Sequence, residues 1–117
     1  MKTYKLNFYG TDYVVTLAKG SYLNNGTLCV EMYTVVDGAI DDLFGTLTVN
    51  LETKEDIIKM ATDEYQYIDT NNLGYEILDW AIKNKIVEDC YCYRHSGFCD
   101  YPLVRFKASA LKQMTNL

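Results

Sequence analysis

The sequence predicts an α+β fold, a single domain over residues 1–117 with a mainly antiparallel sheet, two helices and a C-terminal hairpin. Three observations lead there. Apolar residues make up 49% of the 117 positions, which is enough to build a core. Apolar and polar residues alternate along the first half, as in half-buried strands. The period then becomes helical, and alternation returns near the C-terminus.

The first half contains four predicted strands. Each has apolar residues at every second position, so one face of each strand is expected to pack into the core. Short segments with Gly, Asp and Asn separate them, and neighbouring strands should therefore be antiparallel. The predicted strands are 3–9, 13–18, 27–36 and 43–51, and the predicted turns and loops are 10–12, 19–26 and 37–42.

Helices and a last hairpin follow. A short helix is predicted over 54–62, and an extended piece over 64–72 ends with Asn71 and Asn72 as expected caps for the next helix. That helix is predicted over 73–84, on the apolar stripe of Leu73, Ile77, Trp80 and Ala81. The final predicted strands, 86–93 and 98–106, flank His-Ser-Gly.

Cysteines cluster at this hairpin, where residues 90–99 read CYCYRHSGFC. With Ser96 and Gly97 as the two turn residues, Arg94 would face Cys99 and three thiols would share a face of the sheet. Thiolate and imidazole ligands suit zinc. The cluster therefore predicts a structural zinc site with the ligands Cys90, Cys92, His95 and Cys99.

Other interpretations of the cysteines stay open. Cysteine is often a small buried apolar residue, and C-x-C with H-x3-C is not a standard zinc spacing. A disulfide between Cys92 and Cys99 would not be favoured in a reducing compartment. No apolar run is long enough to span a membrane and the N-terminus lacks a signal-peptide core, so a cytoplasmic protein is expected.

Acidic residues concentrate in the middle of the chain. Residues 31–79 hold twelve acids against Lys54 and Lys59, within a net charge of −5 for the whole chain. An acidic surface repels nucleic acid and attracts a basic protein, although such stretches are often only solvated faces. The predicted partner-binding residues are Asp37, Asp41, Asp42, Glu52, Glu55, Asp56, Asp63 and Glu64.

Catalytic motifs are missing from the sequence. It has no glycine-rich nucleotide loop, no nucleophile elbow and a single histidine, so no catalytic residue is predicted. A metal-dependent enzyme using the cysteine cluster remains an alternative. Eleven tyrosines favour a binding surface, since tyrosine is enriched there, although many are expected to pack along strands.

Several segments resemble a family of small proteins of unknown function that Gram-positive gut bacteria, their phages and their mobile elements encode. The segments are TVNL (48–51), YIDTNN (67–72), the helix that ends near KNKIVED, and SGFCDYPLVRF (96–106). Asp69, Asn71, Asn72, Gly97 and Pro102 in these segments look like turn and cap residues. The shared pattern therefore concerns the fold more than chemistry.

A chain of this size, acidity and origin also resembles anti-CRISPR proteins that inhibit type II effector nucleases. That resemblance implies a non-enzymatic inhibitor in the cytoplasm of a bacterial host cell. It would bind a basic surface of the nuclease and block the loading or cleavage of nucleic acid. The alternative is a structural or regulatory protein of a phage or mobile element that has a protein partner.

Overall fold

The computed structural model describes residues 1–51 and 63–117. Strands account for 56% of the described residues, so the fold is mainly β within the broad α+β class that the sequence predicts. Three short helices accompany the strands in the described part, and none of them is long and apolar enough to cross a membrane. The predicted helix over 54–62 lies outside the described residues.

The strands form two sheets. The elements are β1 (Tyr4–Phe8), β2 (Thr11–Ser21), β3 (Leu28–Val36), β4 (Ala39–Thr46), β5 (Thr48–Val49), β6 (Tyr65–Ile68), α1 (Thr70–Leu73), α2 (Glu76–Lys83), β7 (Val87–Ser96), β8 (Cys99–Phe106), α3 (Ala108–Gln113) and β9 (Thr115–Asn116). In the first sheet, the order is β1-β2-β3-β4, and the short C-terminal strand β9 pairs in parallel with β2. In the second, the order is β5-β6-β8-β7, with antiparallel pairing throughout.

Two tight turns connect the strands of the first sheet. The β3–β4 turn consists of Asp37 and Gly38, with φ of 52° and 77°, and the β1–β2 turn has the same two-residue form. Such turns follow the twist of the strands and need positive φ at both residues. The predicted turn over 37–42 is therefore too long, because Asp41 and Asp42 belong to β4.

The predicted strand over 43–51 is in fact divided at Leu47. The N–H of this buried residue donates to the carbonyl of Val30 at 2.9 Å, and its carbonyl accepts from the N–H of Asp69 at 2.9 Å. Val30 is in the first sheet, and Asp69 directly follows β6 of the second. Leu47 therefore holds the point where the chain passes from one sheet to the other.

The second helix begins later than predicted. Asp69, and not Asn71 or Asn72, caps the one-turn helix α1, and Gly74 (φ 81°) separates α1 from α2. Leu73 therefore belongs to α1, while α2 begins at Glu76 and buries the predicted face residues Ile77 and Ala81.

The main core lies between the first sheet, α2 and one face of the second sheet. The apolar residues that alternate along the N-terminal strands point into it, as predicted. A smaller cluster covers the opposite face of the second sheet and contains Tyr67, Tyr101 and Leu103. The main core includes Leu6, Val15, Leu17, Val30, Met32, Leu47, Ile68, Ile77, Ala81, Ile86, Val104 and Phe106.

Candidate acidic groove

A groove of about 900 Å³ opens between β4 and α1. The first sheet contributes aromatic and polar residues to its lining, and α1 with its cap forms the facing wall. The lining residues include Phe8, Tyr13, Thr34, Asp41, Asp42, Phe44, Asp69 and Asn72.

Three aromatic side chains pack together in the groove. The ring centroid of Phe44 lies 5.2 Å from that of Phe8 and 5.0 Å from that of Tyr13, both in edge-to-face arrangements. All three are half-buried and pack against the main core. Edge-to-face contacts of this kind stabilise the arrangement of the three rings.

The strand of the β3–β4 hairpin that lines the groove is paired irregularly. Two register shifts occur between these strands. At one shift, both Asp41 and Asp42 lie opposite Thr34. At the other, Phe44 is an extra residue of β4 between the pairs Tyr33–Leu43 and Met32–Gly45. The Thr34 hydroxyl donates to the carbonyl of Asp42 at 3.3 Å and accepts from its N–H at 3.2 Å, which fixes the first bulge. Asp41, Asp42 and Phe44 all line the groove, together with the other β4 residues from 43 to 46.

The groove carries negative charge. Asp41 and Asp42 are exposed, and Asp69 is buried on the facing wall, where its carboxylate accepts hydrogen bonds from the N–H and the side-chain amide of Asn72. Among the described residues, no lysine or arginine lines the groove or forms an ion pair with Asp41 or Asp42. Its potential should therefore attract cations.

The other predicted partner-binding acids do not all lie near the groove. Asp37 lies at the exposed turn of the same β3–β4 hairpin. Asp63 and Glu64 precede β6 in the other sheet. Glu64 Oε2 accepts a hydrogen bond from Arg105 Nε at 2.8 Å and forms an ion pair with Nη2, also at 2.8 Å. This contact raises the pKa of the Arg105 guanidinium and neutralises Glu64, so Glu64 does not contribute a free charge. Glu52, Glu55 and Asp56 lie outside the described residues.

The structure corrects the turn of the cysteine hairpin. Its turn residues are Gly97 and Phe98, so Cys99 faces Ser96 and not Arg94. The φ of Gly97 is 63°, which fits a turn that takes glycine at its first central position. Cys92 faces Leu103, four residues along β8 from Cys99. Those two rungs are separated by about 13 Å, since a strand rises about 3.3 Å per residue.

The predicted zinc ligands therefore have separate surroundings. His95 Nδ1 lies 2.9 Å from Asp100 Oδ1, and the Cys99 thiol donates to the side-chain carbonyl of Asn71 at 3.1 Å. The Cys90 thiol donates to the backbone carbonyl of Cys92 at 3.2 Å. Within 1–51 and 63–117, no three His, Cys, Asp or Glu residues are placed to hold a metal. The four residues do not fit one site as placed, and zinc stays a prediction for elemental analysis.

Sequence reasoning missed the aromatic residues of the groove and the facing carboxylate of Asp69. The sequence predicts Asp69 only as a turn or cap residue, and this is confirmed, but Asp69 also lies on the groove wall. The one local signal was the stretch DDLFGT, which does not alternate as a regular strand would. Such a break is what a bulged strand produces.

A family model described as a domain of unknown function, DUF4313, matches residues 16–116. No curated protein and no solved structure gave a significant match. The expectation of an uncharacterised family is confirmed at this level. Because the match spans most of the sequence, the chain belongs to the DUF4313 family of domains of unknown function.

Proposed function

We propose that this protein is a non-enzymatic inhibitor that binds a basic surface of another protein through the β3–β4 hairpin and the acidic groove. The observation that carries the proposal is the set of groove carboxylates, which no described lysine or arginine neutralises. Such a surface presents negative charge to a partner much as a polyanion does. A nucleic-acid-binding channel of a protein has the complementary charge.

The proposed partner is a type II CRISPR effector nuclease of a bacterial host cell. The support for this partner is the resemblance in size and acidity to inhibitors of such nucleases, together with a net charge of −5. Occupation of a basic channel by the hairpin would prevent guide or target nucleic acid from loading. Because exposed charges steer the encounter, added salt should slow association.

Charge reversal tests this proposal. In the variant Asp41→Lys/Asp42→Lys, capture of the nuclease and inhibition of DNA cleavage should fall by about tenfold or more, since like charges then face each other. The matched control is Glu76→Lys/Glu88→Lys, which makes the same change in net charge at exposed positions of α2 and β7. Capture that survives the groove variant, or falls equally in both, would contradict the proposal.

A structural or regulatory role in a phage or mobile element would use the same surface for a different basic protein. Pull-downs from cells with and without the nuclease separate the two functions. A nuclease inhibitor should capture a groove-dependent partner only from cells that contain the nuclease, whereas a structural or regulatory protein should capture one from both kinds of cell. The metal-dependent enzyme has less support, since the hairpin register separates Cys92 from Cys99.

A further inference from the structure

The acidic groove combines two kinds of contact that few ligands can satisfy together. Its volume of about 900 Å³ is within the usual range of ligand pockets. Aromatic rings line one part, and carboxylates line the bulged strand and the facing wall. An apolar ligand would cover the carboxylates without satisfying them, and a phosphate would be repelled. A flat cation suits both kinds of contact.

Arginine has the chemistry that fits. Its guanidinium is planar, stacks on aromatic faces and donates paired hydrogen bonds to a carboxylate. A lysine ammonium is a strongly hydrated point charge and gains less from a ring. Phe8, Tyr13 and Phe44 line the same groove as Asp41 and Asp42, so one ligand can meet both aromatic and carboxylate groups there.

Hydrogen bonds within the chain hold the acidic side of the groove without any ligand. Asp42 Oδ1 accepts from the N–H of Leu43 at 2.9 Å, and Thr34 fixes the backbone of the same bulge. On the facing wall, Asn72 holds both oxygens of Asp69. Prior ordering reduces the entropy that is lost on binding.

We propose that the groove binds one arginine side chain of a basic protein partner, with the guanidinium between the aromatic rings and the carboxylates of Asp41 and Asp42. The protein nature of the partner rests on the proposed function, whereas the preference for a guanidinium rests on the groove alone. The carboxylates favour a cation over a neutral or anionic group, and the aromatic rings favour a planar guanidinium over an ammonium.

Titration of the ¹⁵N-labelled intact protein with three probes tests the site. The probes are N-acetyl-arginine amide, its neutral isostere N-acetyl-citrulline amide, and N-acetyl-lysine amide. We expect the arginine probe to shift the backbone amides of β4 and to bind about tenfold more tightly than the citrulline probe, because charge-assisted hydrogen bonds are the stronger ones. The lysine probe should bind more weakly than the arginine probe.

Matched neutral variants locate the binding. Asp41→Asn/Asp42→Asn keeps the side-chain shapes and should weaken the arginine probe about fivefold or more, since two charges that favour the cation are lost. Glu76→Gln/Glu88→Gln should leave its affinity unchanged. Equal binding of the citrulline probe to the wild-type protein, equal or tighter binding of lysine, or shifts that avoid β4 would each overturn the proposal, whether or not the variants fold.

The two proposals fail separately. If the arginine probe binds as expected but the protein captures no nuclease, the partner is wrong and the arginine site stands. If reversal of Asp41 and Asp42 abolishes nuclease capture but the arginine probe does not bind, the arginine site is wrong and the proposed function stands.

Discussion

At the scale of single residues, Asp69 joins three parts of the molecule. Its backbone N–H bonds to Leu47 at the crossing between the sheets, and its carboxylate caps α1 through Asn72. The same side chain lies in the wall of the groove. One buried carboxylate therefore couples a helix start, a sheet junction and the candidate site.

Removal of this cap should destabilise the fold. We expect Asp69→Ala to lower the free energy of unfolding by about 1–2 kcal/mol, because the N–H of Asn72 loses its acceptor in a part-buried position. Asp69→Asn keeps an acceptor oxygen and should lose less. Urea denaturation measures both changes, and an equal loss in the two variants would show that the cap is not the cause.

The cysteines should differ in reactivity. Burial raises the pKa of the Cys29 and Cys90 thiols, whereas Cys92 is exposed. Since the thiolate is the reactive form, a maleimide at pH about 8 should label Cys92 well before Cys29 or Cys90. Peptide mapping by mass spectrometry gives the order, and labelling in denaturant is the control. Faster labelling of Cys90 than of Cys92 in the folded protein would contradict the described environments.

At the scale of elements, the first three strands and their inner faces were predictable, whereas the fourth strand and the turns were not. Alternation is local, so Leu6, Val15 and Met32 were placed correctly on the core side. The β3–β4 turn and the turn at Gly97 depend on which residue takes positive φ, and this fixes the register of the whole hairpin. With Gly97 placed second in its turn, the predicted pairing is shifted, and Cys92 and Cys99 are expected to be closer together than they are.

The β3–β4 turn gives a direct test of that dependence. Gly38 has φ of 77° and open space where a Cβ would stand, so Gly38→Ala should cost about 1 kcal/mol of unfolding free energy from the backbone alone. Gly45→Ala is the control: it lies in β4, and its new Cβ would meet Leu73 Cδ2 at an ordinary 3.6 Å. Thermal and urea unfolding measure both. A larger loss at Gly45 would mean that packing, and not positive φ, limits this hairpin.

At the scale of the whole molecule, the groove depends on parts that are distant in sequence. β4 supplies the bulged carboxylates and α1 supplies the wall, and the two face each other only because the chain changes sheets at Leu47. The acidic composition of the middle segment was readable, so Asp41 and Asp42 were predicted as binding residues. Their aromatic neighbours were not, since Phe8 and Tyr13 read simply as the apolar face of a hairpin.

The junction between the two sheets should make the whole fold sensitive to alkali. The Tyr22 hydroxyl lies 2.9 Å from Thr48 Oγ1, which also accepts from the N–H of Val30. Burial raises the pKa of Tyr22 above its ordinary value of 10.0. The folded state therefore favours the neutral phenol, and this contribution is complete below the unfolded pKa and is lost as pH rises through the folded one.

We therefore expect the free energy of unfolding to fall from about pH 9.5 upwards, as the unfolded chain begins to lose the phenolic protons that the folded chain retains. Tyr22→Phe should cost about 1 kcal/mol near pH 8 through its lost hydrogen bond, yet it should make the alkaline fall shallower. The fall should not vanish, because burial also raises the pKa of Tyr4 and Tyr101.

Tyr9→Phe, at a residue that is 84% exposed, is the control. Urea denaturation across this pH range measures the slope, and an unchanged slope in Tyr22→Phe would mean that this phenol does not couple the sheet junction to pH.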